Sequence, residues 1–268
     1  MLDITFGQST SPGRRAENED AMGVYVPKSR GEAQARGWIF SVADGVGGID
    51  AGEVAASTAI QVIVDGFARA EEQTPLASLL PRLIQYANSA IRDEGLRPEW
   101  RGKGIASTVV ACALRKDQAY ISHVGDSRCY LIRDGNAAPL THDHSWVHQQ
   151  IQQGFISTQE GPASESRDIL TRALGPERFV SIDNTTLTLW PKDVLVLCSD
   201  GLYATLGGKT MTLIAAQYPN DAQAMAHALV RAAVAADGSD SATAMVICIR
   251  AVEASAMYRG RPYIRRTS

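Results

Sequence analysis

The chain has 268 residues, of which 45% are hydrophobic and 21% are charged, and its formal net charge is −3. This length and apolar content suit one large globular domain and exclude a disordered or collagen-like chain. The slightly acidic balance argues against nucleic acid as the main ligand. No apolar run reaches the ~20 residues of a membrane-spanning helix. The N-terminal sequence lacks the basic-then-apolar order of a signal peptide, so we predict a cytoplasmic protein.

Apolar runs rich in Val, Ile, Thr and Tyr predict strands along the whole chain after residue 37. The predicted strands are 38–43, 107–114, 119–124, 129–132, 184–189, 194–199 and 243–249. Short turns join Leu114 to Ala119 and Leu189 to Val194, which predicts two antiparallel hairpins. Asp134 and Gly135 predict a further tight turn after the fourth strand.

Apolar residues near a 3.6-residue period predict helices over 53–70, 75–91, 209–217 and 221–236. Thr74 before Pro75 is typical of an N-cap followed by proline at the first helical position. Pro81 should kink the second helix or split it in two. Strand groups alternate with helix pairs, so we expect two sheets packed face to face with helices on the outside.

All the cysteines of the chain lie inside strand-like runs and lack the close spacing of zinc ligands. They are Cys112, Cys129, Cys198 and Cys248. We expect reduced, buried thiols, because free cysteine packs as a small hydrophobic side chain in a reducing compartment. Disulfides or a zinc site are the alternative.

Residues 141–175, called the flap below, are polar and interrupt the strand rhythm, as a lid or recognition element would. His142, His144 and His148 lie there in an HxHxxxH pattern. A metal site is one interpretation, since histidines four residues apart on a helix can bind zinc. We favour a polar flap surface for these three, and we expect His123, in a strand, to be a core residue.

The tail, residues 251–268, carries four arginines against one glutamate, a charge of +3, which leaves −6 for the residues before it. We expect a solvated, partly disordered end. Contact with an acidic partner or a membrane surface is the alternative.

Four aspartates stand beside strand-like runs: Asp44, Asp126 and Asp200 follow one, and Asp240 precedes one. Each alone is most simply a turn residue. Carboxylates at strand ends can, however, be held at fixed separations, where they repel unless protonated or neutralised by cations. Oxygen ligands without a supporting Cys or His cluster favour Mg²⁺ or Mn²⁺. The set therefore predicts a metal site.

A second group of charges, RAENED, contains Arg15, Glu19 and Asp20. Alone it would be a solvated loop. Arginine is also a two-pronged ligand for phosphate, and neighbouring acids can contact a metal directly or through water.

Taken in order, RAENED, SVADGVGG, GIASTVV, GDSR, SDG and GSDSAT resemble the motifs of the metal-dependent protein phosphatases, the protein phosphatase 2C-like Ser/Thr phosphatases. The chain looks most like the compact bacterial branch, from about residue 6 to residue 250. The resemblance implies an α+β fold, a four-layer αββα sandwich of two antiparallel sheets flanked by helix pairs. It makes residues 1–250 the catalytic domain and 141–175 its flap segment.

Carried over residue by residue, the resemblance implies a site for two Mn²⁺ or Mg²⁺ ions, with a third ion beside them. The implied metal contacts are Glu19, Asp44, the Gly45 carbonyl, Asp126, Asp200 and Asp240. Within this set Asp44 bridges the two core ions, and Asp126 with Asp200 forms the third site. Arg15 would bind substrate phosphate, and Asp20 would orient metal-bound water.

The implied reaction is hydrolysis of phosphoserine and phosphothreonine by a metal-bridging hydroxide, without a covalent phosphoenzyme. Implied partners are phosphorylated proteins and a Ser/Thr kinase or its targets, with the phosphatase itself a monomer. Two positions depart from the family pattern: Val46 stands where some members have a histidine proposed as general acid, and Ser241 stands where asparagine is usual.

Two other functions stay open at this point. One is a non-catalytic module of the same fold that binds a phosphorylated partner, and the other is a phosphatase of small metabolites. The intact acids favour catalysis over the first, and the wide polar flap favours protein substrates over the second.

Overall fold

The structure is a computed structural model that describes residues 2–46, 51–100, 102, 104–157, 169–258 and 261–267, with side chains up to residue 252. Glycines 47 and 48 of the SVADGVGG motif and the centre of the flap therefore lie outside the described residues. No helix in the described part of the chain combines the length and the apolar character that a membrane span requires.

Two antiparallel sheets form the centre of the molecule. Their strands are β1 (Asp3–Ser11), β2 (Asp20–Tyr25), β3 (Trp38–Val46), β4 (Ala106–Ser107), β5 (Val109–Arg115), β6 (Gln118–Val124), β7 (Arg128–Arg133), β8 (Asn136–Pro139), β9 (Asp183–Thr188), β10 (Val194–Cys198), β11 (Ala242–Tyr258) and β12 (Arg261–Thr267). The first sheet has the order β1-β11-β10-β7-β8, with β12 paired to β11. The second has the order β2-β3-β5-β6-β9, with β4 paired to β3.

Helices flank the two sheets. They are α1 (Arg30–Ala35), α2 (Ala51–Arg69), α3 (Leu76–Glu94), α4 (Trp146–Gln152), α5 (Asp200–Tyr203), α6 (Gly208–Gln217) and α7 (Ala222–Ala236). Asp221 caps α7, because its side chain accepts a hydrogen bond from the Ala224 N–H at 2.9 Å.

Three hydrophobic clusters show the layer order. Along β3, Ile39 and Ala43 pack with the buried faces of α2 and α3. Phe40 and Val42, on the opposite face of the same strand, pack with residues of the first sheet. The third cluster joins the first sheet to α5, α6 and α7. Strand β3 is therefore buried on both faces. Since side chains alternate between the faces of a strand, its sequence is an almost continuous apolar run. The predicted αββα sandwich is confirmed.

The predicted hairpin between Leu189 and Val194 is wrong. Strand β9 pairs with β6 in the second sheet, whereas β10 pairs with β7 and β11 in the first. The turn between them crosses from one sheet to the other. Arg133 fixes this turn, because it donates two hydrogen bonds to the buried Asp193 carboxylate, at 2.7 and 2.6 Å. The other two tight turns are confirmed, and positive φ angles of 51° at Asp134 and 74° at Gly135 form the second of them.

Helix α3 continues through Pro81 as one element, so of the two predicted effects the split is wrong and the kink stays a prediction. Leu79, Leu80, Leu83 and Ile84 around the proline are all buried, and this packing holds the helix together. The predicted cap at Thr74 is also wrong. Pro75 is the N-cap, and the Thr74 hydroxyl donates to the Glu71 carbonyl instead.

Strands β1 and β2 precede the first predicted strand. The β2 residues are all half-buried, and polar residues alternate along β1, so neither segment carries a strong apolar signal. Strand β2 begins at Asp20, which places the RAENED acids at the entry to a strand.

The backbone of the tail departs from the expected solvated, partly disordered end. Strand β11 continues past Arg250 to Tyr258 and pairs antiparallel with β12. This pairing satisfies backbone N–H and C=O groups that a solvated end would give to water. The domain boundary at residue 250 stays a prediction.

Candidate metal centre

The predicted aspartates lie where the ends of both sheets meet. Asp20 and Asp44 are register partners on β2 and β3 of the second sheet. Asp200 begins α5, with only Ser199 between it and β10 of the first sheet, and Asp240 precedes β11. The Ser199 hydroxyl donates to Asp20 Oδ2 at 2.6 Å and so joins the two sheets at this end.

Asp44 lies within β3, not beyond its end as the sequence predicts, because the strand runs to Val46. Its backbone is tied to Thr108: the Asp44 N–H donates to Thr108 Oγ1 at 3.0 Å, and the Thr108 N–H donates to the Asp44 carbonyl at 2.8 Å. Thr108 Oγ1 also lies 2.7 Å from Ser127 Oγ, next to Asp126. Thr108 is thus a positioning residue that the sequence marks only as part of GIASTVV.

Burial and mutual repulsion act on the carboxyl groups together. Burial raises the pKa of Asp44 well above its usual range, and the charges of Asp20, Asp200, Asp126 and Asp240 raise it further. For Asp126, burial and then the charge of Asp200 raise the pKa to about 8. These two carboxyl groups and Asp200 are therefore near neighbours, as the predicted core and third sites require.

For Asp20, burial raises the pKa to about 7, although hydrogen bonds from Ser199 and Thr243 oppose the rise. The charges of Asp200 and Asp240 add to it. Asp20 Oδ1 is buried and has no hydrogen-bond partner. A buried carboxylate oxygen without a partner is costly and marks a place where a ligand can bind.

Close backbone approaches bring the ligand loops together. A side chain on Gly45 would overlap the Gly52 carbonyl, and one built on Gly52 would lie 3.2 Å from Glu19 Oε1. On the other sheet, a side chain on Gly201 would overlap the Ser241 carbonyl. These glycines let Glu19 approach the start of α2 and let the loop before β11 approach α5.

The residues present fit hard divalent cations. The donor set is carboxylate and carbonyl oxygen, crowded enough to hold the pKa of three carboxyl groups high, with one carboxylate oxygen free. Mg²⁺ and Mn²⁺ prefer such ligands. The individual metal contacts stay predictions.

Arg15 contacts two of the predicted metal contacts. Its guanidinium forms an ion pair with Glu19 and meets Asp240 through two contacts of 2.8 Å, Nε to Oδ1 and Nη2 to Oδ2. The preceding loop is anchored by the Arg14 N–H, which donates to the Gly238 carbonyl at 2.8 Å. The guanidinium charge thus offsets the negative charge of these two carboxylates.

Arg128 connects the turn containing Asp126 to the start of the flap. It makes a bidentate ion pair with Asp143, with distances of 2.7 and 2.6 Å, and its guanidinium carbon lies 3.5 Å from the centre of the Tyr203 ring. Tyr203 ends α5, which Asp200 begins. The three elements around Asp126 are therefore held by one arginine.

The flap histidines separate into two environments. His144 is buried, not on a polar surface as predicted, and its ring stacks on that of His123 with centroids 4.7 Å apart. His123 is buried, as predicted. His142 is exposed and His148 half-buried.

His123, His144 and Asp183 are close enough to be considered as metal ligands. The hydrogen bonds argue against it. The Gly125 N–H donates to His144 Nδ1 at 3.1 Å, so the neutral ring carries its proton on Nε2, which faces Asp183 at 3.3 Å. Arg172 already neutralises Asp183 at 2.7 Å. The cluster fixes the flap to Gly125, next to Asp126.

At the two positions that depart from the family pattern, Val46 and Ser241, neither side chain makes a hydrogen bond. Val46 is 40% exposed and carries no proton to donate. The Ser241 hydroxyl is buried without a hydrogen-bond partner, while the Ser241 N–H donates to Asp240 Oδ1 at 2.6 Å. The backbone of residue 241 thus helps to hold Asp240 whatever its side chain. All four cysteines are free and buried, as predicted.

A sandwich of two sheets with crowded carboxylates at one end defines a class of metal-dependent hydrolase, and comparison with known proteins identifies it. Residues 14–236 match the model of the family described as Protein phosphatase 2C. The chain belongs to the protein phosphatase 2C family.

Relatives and solved structures agree with this assignment. The chain is 36% identical to the serine/threonine phosphatase stp of Listeria welshimeri over 72% of this chain and 75% of that protein. It is 33% identical to the serine/threonine protein phosphatase PstP of Mycobacterium tuberculosis over 87% of this chain and 42% of that protein. The structure of M. tuberculosis PstP/Ppp superposes with a TM-score of 0.80 at 29% identity, covering 93% of this chain and all of that one. The catalytic domain of PstP in complex with two manganese ions gives a TM-score of 0.79 at 29% identity, with the same coverage.

Proposed function

We propose that the chain is a metal-dependent phosphoprotein phosphatase that hydrolyses phosphoserine and phosphothreonine with Mn²⁺ or Mg²⁺. One observation carries the proposal: the motifs of this family bring Asp20, Asp44, Asp126 and Asp200 together as repelling carboxyl groups where the two sheets meet. A phosphate-binding module without catalysis would have no use for such a crowded anionic centre.

The core ions would be held by Asp44, the Gly45 carbonyl, Asp200 and Asp240, with Glu19 at the second ion and Asp126 with Asp200 at a third. Bound divalent cations supply an acidified water molecule as nucleophile and neutralise charge on the phosphate.

Arg15 is the residue proposed to bind the substrate phosphate. Its guanidinium is a planar fork suited to two phosphate oxygens, and its side chain is 40% exposed, so substrate can reach it. Cations bound by Glu19 and Asp240 would neutralise these two carboxylates and leave the Arg15 guanidinium free to bind phosphate. Asp20, with its free Oδ1, would orient the attacking water. Val46 has no proton to give, so solvent would protonate the leaving group.

Exposed apolar side chains on the flap support a protein substrate. Trp146 and Ile169 are both exposed and are adjacent, because the Trp146 N–H donates to the Ile169 carbonyl at 2.8 Å. A small polar metabolite has no surface to cover them, whereas the residues flanking a phosphoserine do. We further propose that the enzyme is a cytoplasmic monomer that opposes a Ser/Thr kinase by acting on the kinase or its targets.

The proposal is tested with three substrates of matched phosphate content: a phosphothreonine protein, an aryl phosphate and a sugar phosphate. With Mn²⁺ present, kcat/KM should be highest for the protein and lowest for the sugar phosphate. Binding of the phosphoprotein without release of phosphate would favour the non-catalytic module, and preference for the sugar phosphate would favour a metabolite phosphatase.

A further inference from the structure

Two buried hydroxyl groups of the first sheet converge on Asp20 of the second. Ser199 and Thr243 lie at the end of β10 and the start of β11, and both are fully buried. The Ser199 hydroxyl lies 2.6 Å from Asp20 Oδ2. The Thr243 side chain lies beside the same carboxyl group and helps to lower its pKa.

The surrounding hydrogen bonds show which atoms of Ser199 and Thr243 are left to donate. The Thr243 N–H donates to Ser199 Oγ at 3.1 Å, so the hydroxyl proton of Ser199 is left for Asp20. Asn18 Nδ2 donates to Thr10 Oγ1 at 2.8 Å, and Thr10 Oγ1 lies 2.7 Å from Thr243 Oγ1. When each hydroxyl accepts one hydrogen bond and donates one, Thr243 accepts from Thr10, and its own proton is available to the neighbouring Asp20 carboxyl group.

These contacts leave one oxygen of Asp20 free. Oδ1 is buried without a hydrogen-bond partner, although Ser199 donates to Oδ2 of the same carboxyl group. The backbone around it is fixed as well, because the Asp20 N–H donates to Asn18 Oδ1 at 3.1 Å and Asp20 stands opposite Asp44 in the sheet register. A group so firmly held on one side and unpartnered on the other is arranged for a ligand on the free side.

We propose that Ser199 and Thr243 are positioning residues whose hydroxyls hold the Asp20 carboxylate, so that its Oδ1 stays available to the divalent-cation centre. The proposal rests on the proposed metal-dependent function. Neither hydroxyl is proposed to touch the substrate. The competing interpretation is that both only satisfy buried polar groups where the two sheets meet.

The test is calorimetric titration of the metal-free full chain with Mn²⁺, which needs no turnover. Thr243→Val removes the hydroxyl and keeps the side-chain shape, whereas Thr243→Ser keeps the hydroxyl. Thr243→Val and Ser199→Ala should each weaken Mn²⁺ binding by about tenfold, the size expected for a lost hydrogen bond to a charged group. Thr243→Ser should stay within about twofold of the parent protein. If Ser199→Ala does not fold, the Thr243 pair decides.

Two controls separate positioning from packing. Ser41→Ala removes an equally buried hydroxyl that has no hydrogen-bond partner, and it should leave Mn²⁺ binding unchanged. In an Asp20→Ala background, Thr243→Val should cause no further loss, because the residue it positions is gone.

Three results would overturn the proposal: equal loss in Thr243→Val and Thr243→Ser, a full further loss in the Asp20→Ala background, or an equal loss in Ser41→Ala. Normal Mn²⁺ binding by the parent chain without phosphate hydrolysis would instead overturn the proposed function alone.

Discussion

Asp44 has very unfavourable surroundings for an ionised carboxyl group. Burial and the charges of four other aspartates all oppose its ionised form. A buried carboxyl group in such a place destabilises the fold, so cation binding explains its presence better than a stabilising role does.

Asp44→Ala should therefore lower kcat/KM by about 10³-fold or more, ~4 kcal/mol of barrier, because the bridging ligand is lost. In chelator, the variant should unfold about 2 °C higher at pH 8, since relief of repulsion worth about 1 kcal/mol stabilises the metal-free fold. The gain should shrink at pH 5, because a raised pKa leaves the native Asp44 protonated there.

Phosphate release and thermal unfolding measure the two effects. Asp65→Ala is the matched control, because Asp65 is an aspartate on the outer part of α2 with a side chain 48% exposed. Near-normal turnover in folded Asp44→Ala would contradict the bridging role.

Arg15→Ala should lower kcat/KM on an aryl phosphate by about 10²-fold, because a charge-assisted contact with the transferred phosphate is lost. Mn²⁺ affinity should not fall, since the guanidinium competes with cations for Glu19 and Asp240. Kinetics and calorimetry separate the two. Arg14→Ala is the control, because Arg14 is more exposed and pairs with Asp237. A large loss of Mn²⁺ affinity in Arg15→Ala would make the arginine structural.

The sequence predicts which residues carry charge at the site, but not which of them pair. Asp44, Asp126 and Asp200 were found because each ends a run of apolar residues or a turn. The contact of Arg15 with Asp240 joins residues 225 positions apart, and Ser199 reaches Asp20 across two sheets. Such pairings depend on how β10 and β2 are stacked, which no local pattern encodes.

At the scale of elements, the flap is fixed to the sandwich at its first residues and carries exposed apolar side chains further on. Strong contacts fix its first residues: Asp143 to Arg128, and His144 to Gly125. Beyond them, Phe155 is 75% exposed at the edge of the described part of the flap. The flap base is thus fixed to the sandwich, and the exposed Phe155 is available for contact with a protein substrate.

Replacing residues 155–166 with a short Gly/Ser linker should keep aryl phosphate hydrolysis within about tenfold, ~1.4 kcal/mol, because the chemistry belongs to the carboxylates and Arg15. Hydrolysis of a phosphorylated protein should fall further. Thermal unfolding is the control for a merely stabilising flap. Equal losses on both substrates at unchanged stability would contradict a recognition role.

The buried His144 gives the flap base a pH dependence. Burial, with His123 and Arg172 nearby, lowers its pKa to about 4. A histidine whose pKa is depressed in the folded state stabilises the fold above its unfolded value of about 6.5, and this contribution is lost as pH falls towards 4. His144→Asn keeps an acceptor for the Gly125 N–H but does not titrate.

The stability advantage of the parent chain over His144→Asn should therefore shrink by about 2–3 kcal/mol between pH 7 and pH 4. Urea unfolding at several pH values measures the difference, and the exposed His142→Asn is the control. A difference that does not change with pH would mean that His144 is not held neutral.

The sequence predicts strands correctly where both faces of the strand are buried, as in β3, β5 and β10, because such strands are continuous apolar runs. The hairpin predicted between β9 and β10 fails because turn length does not say which sheet the next strand joins. Strands β1 and β2 have mixed polar patterns, because they lie at the edges of the two sheets, where one side of the strand is unpaired.

For the whole molecule, the two sheets bring carboxylates from distant parts of the chain to one place, at a cost in repulsion that cations would remove. The αββα sandwich supplies the rigid frame, and the metal centre supplies the chemistry. We expect phosphate hydrolysis by this chain to depend on divalent cations held by that centre.

The most direct test is release of phosphate from a phosphothreonine protein by the exhaustively chelated full chain, before and after addition of Mn²⁺. We predict a loss of at least about 10³-fold on chelation, ~4 kcal/mol of barrier, and recovery when Mn²⁺ is restored. The Asp44→Ala variant should not recover. Full activity after exhaustive chelation, or no activity with saturating Mn²⁺ in the folded parent chain, would contradict the claim.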